Sequence, residues 1–326
     1  MKAITFEQFG ASDVLELNVV PDPIVRPTDL LVRTHAAGVN RADLTHRRGG
    51  YGRPDFGDST IMGLEIAGEV IALGDKVEGF KVGDRVMGIV GGGAYAEQAR
   101  IDYRMAMPIP EDMDYIHAAA ITEVFVTANE ALINLGDLKA NETVLIHAGA
   151  GGVGGAAVQL ARATGARVIT TAQKAAHDLV KRLGADHAID YETEDFAKVV
   201  AELTDNQGVD LILDFIGAPY LERNVNSLNF GGRLVQIGIM GGVENAKLPL
   251  DRVLYRHLRI MGTVMKSRSQ EVKHAMSHRF AKRWLSQFSE DGLYPVIDSV
   301  YPLKEAGKAQ QRMEDGLNVG KIVLTM

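Results

Sequence analysis

The residues of this chain with the most specific chemical meaning are Gly149-Ala150-Gly151-Gly152-Val153-Gly154. They follow the spacing G-x-G-x-x-G, directly after the apolar run Thr143-Val144-Leu145-Ile146-His147-Ala148. A stretch with Val153, Ala157, Leu160 and Ala161 on one helical face comes next. In a strand, turn and helix of this kind, one glycine permits the tight turn and another lets backbone N–H groups approach a pyrophosphate. The last lets the helix pack closely on the strand. The helix N-terminus then faces the anion. A glycine-rich turn without a ligand is the alternative, and the strand and helix on either side argue against it.

The end of the following strand selects the dinucleotide. An acidic side chain there would accept hydrogen bonds from the adenosine ribose hydroxyls of NAD, but Thr171, Ala172 and Gln173 occupy the place. Nothing in that triplet repels a 2′-phosphate, and the cation of Lys174, helped by His177, is near enough in sequence to pair with one. The sequence thus points to NADPH. Lys174 and His177 are equally compatible with solvated positions at a helix start. His147 reads as a packing residue rather than an acid, and the basic stretches 252–259 and 273–283 read as solvated helix faces.

These residues need a scaffold, and the pattern around them is α/β. Strand-like segments at 143–148, 167–171, 187–191, 209–215, 233–237 and 258–263 alternate with amphipathic helical stretches. The continuous apolar run Leu211-Ile212-Leu213 is expected where helices cover both faces of a parallel sheet. A doubly wound, six-stranded parallel sheet follows. Before residue 120 the pattern is short strands parted by glycine turns, at 29–37, 68–73, 84–89 and 94–100, which predicts a small irregular β-barrel. After residue 263 come a helix over 269–288 and a closing strand, Lys321-Ile322-Val323-Leu324, expected to rejoin the first sheet.

A length of 326 residues suits two domains. The formal charge of −7 gives no general attraction to nucleic acid or anionic lipid. With no cysteine, the chain makes no disulfide, no cysteine nucleophile and no thiolate-held zinc site. No apolar run reaches the ~18 residues of a spanning helix, and the first residues lack a secretion-signal core. The expectation is a cytoplasmic protein without internal repeats.

Several motifs together resemble the zinc-independent branch of the medium-chain dehydrogenase/reductase superfamily, the NADPH:quinone oxidoreductase (zeta-crystallin-like) branch. They are Ala37-Gly38-Val39-Asn40-Arg41-Ala42-Asp43, Gly63-Leu64-Glu65-Ile66-Ala67-Gly68, Val82-Gly83-Asp84-Arg85-Val86, the loop at 147–154 and Gly320-Lys321-Ile322-Val323-Leu324. The resemblance implies a GroES-like catalytic domain from residues 1–121 and 264–326, with a Rossmann domain at 122–263 between them. It also implies hydride transfer from nicotinamide C4 to a quinone or other activated carbonyl. Zinc-dependent members hold the metal with a cysteine and a Gly-His-Glu motif, and Asn40 and Gly63-Leu64-Glu65 stand at those places. The chain also passes from Val86 to Gly91-Gly92-Gly93-Ala94-Tyr95 without a structural-zinc lobe. Without a Lewis acid the substrate must accept hydride unaided.

The resemblance further implies Asn40 and Tyr51 as substrate-facing groups that orient the acceptor. Cofactor contacts are implied at Asn40, Thr127, Gly149, Ala150, Gly151, Gly152, Val153, Gly154, Tyr191, Phe215, Ile216, Gly217, Gly238, Ile239, Met240, Thr263, Val264, Met265 and Lys321. Family members often carry a Gly-Ser turn after the second strand and a lysine further on; Ala172, Gln173 and Ala176 stand here, which makes Lys174 a displaced substitute. Asp43 and Glu65 are expected in a structural ion pair with Arg41 or Arg48. A homodimer or homotetramer, formed through the strand near 258–263, is implied as well. The rival activities are reduction of an activated C=C bond in an enone or enoyl thioester, and NADPH binding without turnover.

Overall fold

The structure is a computed structural model that describes residues 1–50, 61–289 and 291–326. Tyr51 therefore lies outside the described residues. The chain separates into two compact units, Met1–Val126 with Lys266–Met326, and Thr127–Met265.

In chain order, the first elements are β1 (Lys2–Thr5), β2 (Glu16–Val19), β3 (Asp29–Val39), α1 (Arg41–Arg47), β4 (Glu65–Leu73), β5 (Arg85–Ile89), β6 (Gln98–Asp102), β7 (Ala106–Pro108), α2 (Tyr115–Ala118) and α3 (Thr122–Asn129). Next come β8 (Thr143–Ile146), α4 (Gly152–Ala163), β9 (Arg167–Ala172), α5 (His177–Arg182), β10 (His187–Asp190) and α6 (Phe196–Leu203). They are followed by β11 (Val209–Asp214), α7 (Ala218–Ser227), β12 (Leu228–Gln236), α8 (Leu250–Tyr255) and β13 (Arg259–Gly262). The last are α9 (Gln270–Trp284), β14 (Ile297–Pro302), α10 (Ala306–Glu314) and β15 (Lys321–Thr325).

The split unit is built on a sheet in the order β14-β15-β3-β4-β5-β7, with β6 also paired to β3. β15 joins the interior of this sheet, antiparallel to β3, with Ile322 opposite Val39 and Thr325 opposite Ala36. Its three apolar residues, Ile322, Val323 and Leu324, are fully buried, which explains the unbroken apolar run. The strand expected at 94–100 begins only at Gln98. Ala94, Tyr95 and Ala96 are instead buried beside β1, where the Ile4 amide donates to the Tyr95 carbonyl. Helix α9 ends at Trp284, short of the expected residue 288, and continues as a 3-10 turn at Leu285–Gln287. Ser269 caps its start, and Met276, Phe280 and Trp284, spaced by four, form its buried face.

The contiguous unit is a six-stranded sheet in the order β10-β9-β8-β11-β12-β13, parallel throughout. This is a doubly wound arrangement whose order reverses between β8 and β11. Val144, Leu145 and Ile146 of β8 and Leu211, Ile212 and Leu213 of β11 have no exposed surface, as expected for central strands covered by helices. The core partners of Leu145 and Ile212 include Phe196 and Val200 of α6 and Val225 of α7.

Candidate functional site

In the contiguous unit the carboxyl ends of the parallel strands carry the candidate cofactor residues. After β8 the chain passes through Ala148, whose φ is +52°, into the glycine loop and α4. The Gly149 amide donates to Thr171 and the Gly151 amide to Ala148, so the loop is tied to the ends of its own strand and of β9. The glycines play different parts. A Cβ on Gly154 would lie 2.1 Å from the Ala148 carbonyl oxygen, and one on Gly149 would lie 2.0 Å from Thr170 Oγ1. Both allow close packing. A Cβ on Gly151 would meet only the Ala148 oxygen, at 3.3 Å, so Gly151 faces a recess that a side chain would fill. No side chain caps the helix that starts there. Uncapped N–H groups behind an open recess suit an anionic diphosphate.

A buried network braces this rim. His147 Nε2 lies 2.7 Å from Asn224 Oδ1, and Nδ1 lies 3.2 Å from Thr171 Oγ1. Asn224 Nδ2 donates to Asp214 Oδ2, so its oxygen must accept a proton from His147 Nε2, leaving Nδ1 as an acceptor. Burial pushes the His147 pKa down to about 4, and the edges of Phe196 and Tyr220 pack on its ring. The imidazole is neutral and structural. Asp214 receives the amides of Ile216 and Gly217, shaping the turn after β11, and burial raises its pKa.

The other candidates of this unit, apart from Thr127, follow the carboxyl ends of the same strands. Phe215, Ile216 and Gly217 follow β11; Gly238, Ile239 and Met240 follow β12; Thr263, Val264 and Met265 follow β13. Tyr191 follows β10, and Thr127 lies on α3. Tyr191, Ile239, Met240 and Val264 present apolar surface to solvent. Lys174 is exposed in the short turn after β9. His177 differs from the expectation that it assists Lys174: it is buried, with Nε2 3.3 Å from the Ala172 carbonyl oxygen.

The split unit gathers a second set of residues. Lys321 opens β15, Asn40 follows β3 and Glu65 opens β4, and these three strands are neighbours in the sheet. With Gly38 opposite Glu65 and Val39 opposite Ile322, the three side chains arise at one end of the sheet. Lys321 Nζ donates to Glu65 Oε2 at 2.8 Å, Asn40 Oδ1 at 2.6 Å and the Val39 carbonyl at 3.2 Å. Glu65 Oε2 also accepts from Asn40 Nδ2 at 3.2 Å, and Oε1 accepts from Thr122 Oγ1 and the Glu123 amide. Lys321 is 3% exposed and Glu65 not at all. The partner of Glu65 is thus Lys321 and neither Arg41 nor Arg48; Arg48 pairs with Glu314. Asp43, also fully buried, accepts from the Asn40 backbone N–H and from the Tyr95 hydroxyl, both at 2.8 Å. It lies outside the ion pair, and burial raises its pKa to about 6. Glu123, beside Glu65, is raised to about 8, by burial first and then by the Glu65 charge.

Comparison with known proteins places this geometry. Residues 26–111 match the family model described as alcohol dehydrogenase GroES-like domain, and residues 152–282 match the model described as zinc-binding dehydrogenase. Human quinone oxidoreductase is 31% identical over 331 residues, covering 100% of this chain and 98% of that protein. The chain belongs to the medium-chain dehydrogenase/reductase superfamily, in its quinone oxidoreductase branch. The human synaptic vesicle membrane protein VAT-1 homolog is 30% identical over 341 residues, covering 99% of this chain and 86% of that protein. The crystal structure of Escherichia coli quinone oxidoreductase complexed with NADPH matches with a TM-score of 0.90 at 26% identity, covering 100% of both chains.

As a medium-chain dehydrogenase/reductase, the chain has the expected GroES-like N-terminal domain and a Rossmann domain with six parallel strands. Among the described residues no three His, Cys, Asp or Glu side chains converge as a metal site, and no helix is long and apolar enough to cross a membrane. Sequence reasoning missed Asn224 and Asp214, which hold His147 and the β11 turn. The only trace of them was an Asp at a strand end and an Asn ten residues on in a helix.

Proposed function

We propose that this medium-chain dehydrogenase/reductase is an NADPH:quinone oxidoreductase that works without zinc. The observation that carries the cofactor half is the recess at Gly151 before an uncapped helix, next to a β9 end that has Thr171, Ala172 and Gln173 in place of a carboxylate. Asp190 stands at the end of the neighbouring β10, not of β9, and its oxygens accept from Thr193 and from the Glu192 amide of its own turn. Lys174 is exposed beside this corner and is assigned to the 2′-phosphate. The rim residues 215–217, 238–240 and 263–265, with Thr127 and Tyr191, are assigned to the rest of the dinucleotide. When bound, the nicotinamide supplies the hydride.

Zinc independence is supported by the donor set. Asn40 and Leu64 replace the cysteine and histidine of zinc-dependent relatives, and Glu65 is bound to an ammonium. These residues do not fit a zinc ion. An acceptor without a Lewis acid must be electron-poor, and quinones meet that condition. Asn40 and Tyr51 are assigned to its oxygen. Absence of cysteine supports a cytoplasmic setting. A homodimer through β13 is part of the same reading, supported by the exposed Leu250, Leu254, Tyr255 and Ile260 near that edge strand.

The test has two arms. Dissociation constants for NADPH and NADH, measured for wild type and Lys174→Ala, should favour NADPH in the wild type and lose that preference in the variant; equal wild-type affinities would remove the NADP assignment. Purified protein should oxidise NADPH with several quinones. Failure with all of them would overturn the quinone assignment, and a saturated product from an alkenal or enoyl thioester would replace it with C=C reduction.

A further inference from the structure

The ammonium of Lys321 has three hydrogens, and its three hydrogen bonds go to Val39 O, Asn40 Oδ1 and Glu65 Oε2. The bond to Asn40 is the shortest, at 2.6 Å. It fixes the sense of the amide: the oxygen faces the cation, so only the nitrogen remains to act on anything else. That nitrogen makes two bonds, 3.2 Å to Glu65 Oε2 and 3.3 Å to the Gly38 carbonyl, at and just past the long end of the usual N–H···O range of about 2.7–3.2 Å. Its hydrogens are therefore available to a stronger acceptor. An ammonium bonded to an amide oxygen also draws electrons from the amide nitrogen and strengthens its N–H groups as donors.

The arrangement is not explained by stability. Replacing a buried ion pair by apolar residues of similar volume is often neutral or stabilising, yet here the backbone is shaped to keep the two charges. A Cβ on Gly38 would lie 2.3 Å from Glu65 Oε2 and 2.4 Å from the Ala119 carbonyl oxygen, so the carboxylate has its place only because residue 38 lacks a side chain.

We propose that Lys321 is a positioning residue whose ammonium, anchored by Glu65, orients and polarises the Asn40 amide as the donor to the acceptor oxygen. This rests on the quinone-reductase reading for its kinetic arm. A bound reduced nicotinamide would supply the hydride, giving up one C–H bond and two electrons as a new bond to hydrogen forms on the acceptor. The electron pair displaced within the acceptor collects on its oxygen, where Asn40 Nδ2 donates, and a proton from water completes the reduction. A fixed ammonium acting through one amide thus takes the electrostatic part that a metal ion plays in zinc-dependent relatives.

The experiment compares wild type with Lys321→Met, Lys321→Arg and the pair Lys321→Met with Glu65→Gln, which removes both charges and keeps the protein testable if the single Met variant fails to fold. At saturating NADPH, kcat of the charge-free pair should fall by roughly 10²–10³, as for loss of an oxyanion donor, while the Kd for NADPH stays unchanged. Lys321→Arg should recover most of the rate. The side-chain amide 15N–1H signals of Asn40, assigned by their loss in Asn40→Asp, should shift toward the ordinary amide region in the charge-free pair. That reading needs no acceptor, so it stands even if the wild type turns over no quinone. Asn40 signals identical in wild type and charge-free pair would overturn the proposal. So would a raised Kd for NADPH with unchanged kcat, which would make Lys321 a direct dinucleotide contact.

Discussion

Lowering the pH should loosen the contiguous unit through one imidazole. His147 is fully buried, donates from Nε2 to Asn224 and accepts at Nδ1 from Thr171. A proton at Nδ1 would displace the Thr171 hydroxyl hydrogen, while the Thr171 oxygen is already the acceptor of the Ala148 amide. Burial opposes the charge first, and Arg223 opposes it further, so the pKa is about 4 in place of the ordinary 6.5. The folded-state value is depressed, so the unfolded chain binds the proton more readily. Stability from this residue is fully present above pH 6.5 and is lost as pH falls toward 4. The shift corresponds to about 3 kcal/mol in all, and to about 2 kcal/mol between pH 7.5 and pH 5. Urea unfolding followed by far-ultraviolet circular dichroism at those two pH values, for wild type and His147→Gln, isolates this contribution as the difference in pH dependence. The 13C-labelled histidine signals give the pKa directly. A titration of His147 near 6.5, or equal pH dependence in the two proteins, would refute the reasoning.

Other outcomes follow from particular contacts. Gly151→Ala should fold with nearly normal stability and lose at least tenfold in dinucleotide affinity, because its Cβ enters the recess; Gly154→Ala should destabilise the unit itself, since its Cβ meets the Ala148 backbone. Calorimetric titration and thermal melts separate the two effects. Lys321→Met should cost the split unit about 3–5 kcal/mol by leaving the Glu65 carboxylate buried without its cation. Fluorescence of Trp284, the chain's single and buried tryptophan, reports unfolding of that unit, and recovery in the Glu65→Gln background would show the cost to be electrostatic. The Asp43 pKa is raised from 3.8 to about 6, so its contribution is present below pH 3.8 and lost as pH rises through 6; Asp43→Asn should flatten that decline in Trp284-monitored urea midpoints.

The parallel sheet was legible because its evidence is local. Each strand is an apolar run bounded by its own turn, and the glycine spacing at 149–154 carries its strand and helix with it. The strand at 321–325 was legible for the same reason. What could not be read was pairing across distance. Glu65 and Lys321 are 256 positions apart, and nothing in either neighbourhood marks the other, so nearby Arg41 and Arg48 looked like better partners. Arg48 is instead held by Glu314, another distant residue. The late start of β6 has a comparable cause: Tyr95 is drawn inward by its bond to Asp43, a tertiary contact that overrides a strand-like sequence. His177 shows the converse, a histidine after a strand whose burial depended on how α5 docks.

The insertion of β15 between β14 and β3 has a consequence for how the protein is made. During synthesis at 5–20 residues per second, Glu65 emerges roughly 13–51 s before Lys321 exists to neutralise it. Over that interval residues 36–39 of β3 lack their neighbour on the side where β6 pairs residues 29–33, and the contiguous unit has its last strand, β13, before Lys321 emerges. Just before the closing strand arrives, the nascent chain is therefore expected to carry a finished middle and an incomplete beginning, with residues 36–39 of β3 unpaired on one side and open to wrong partners or to chaperones.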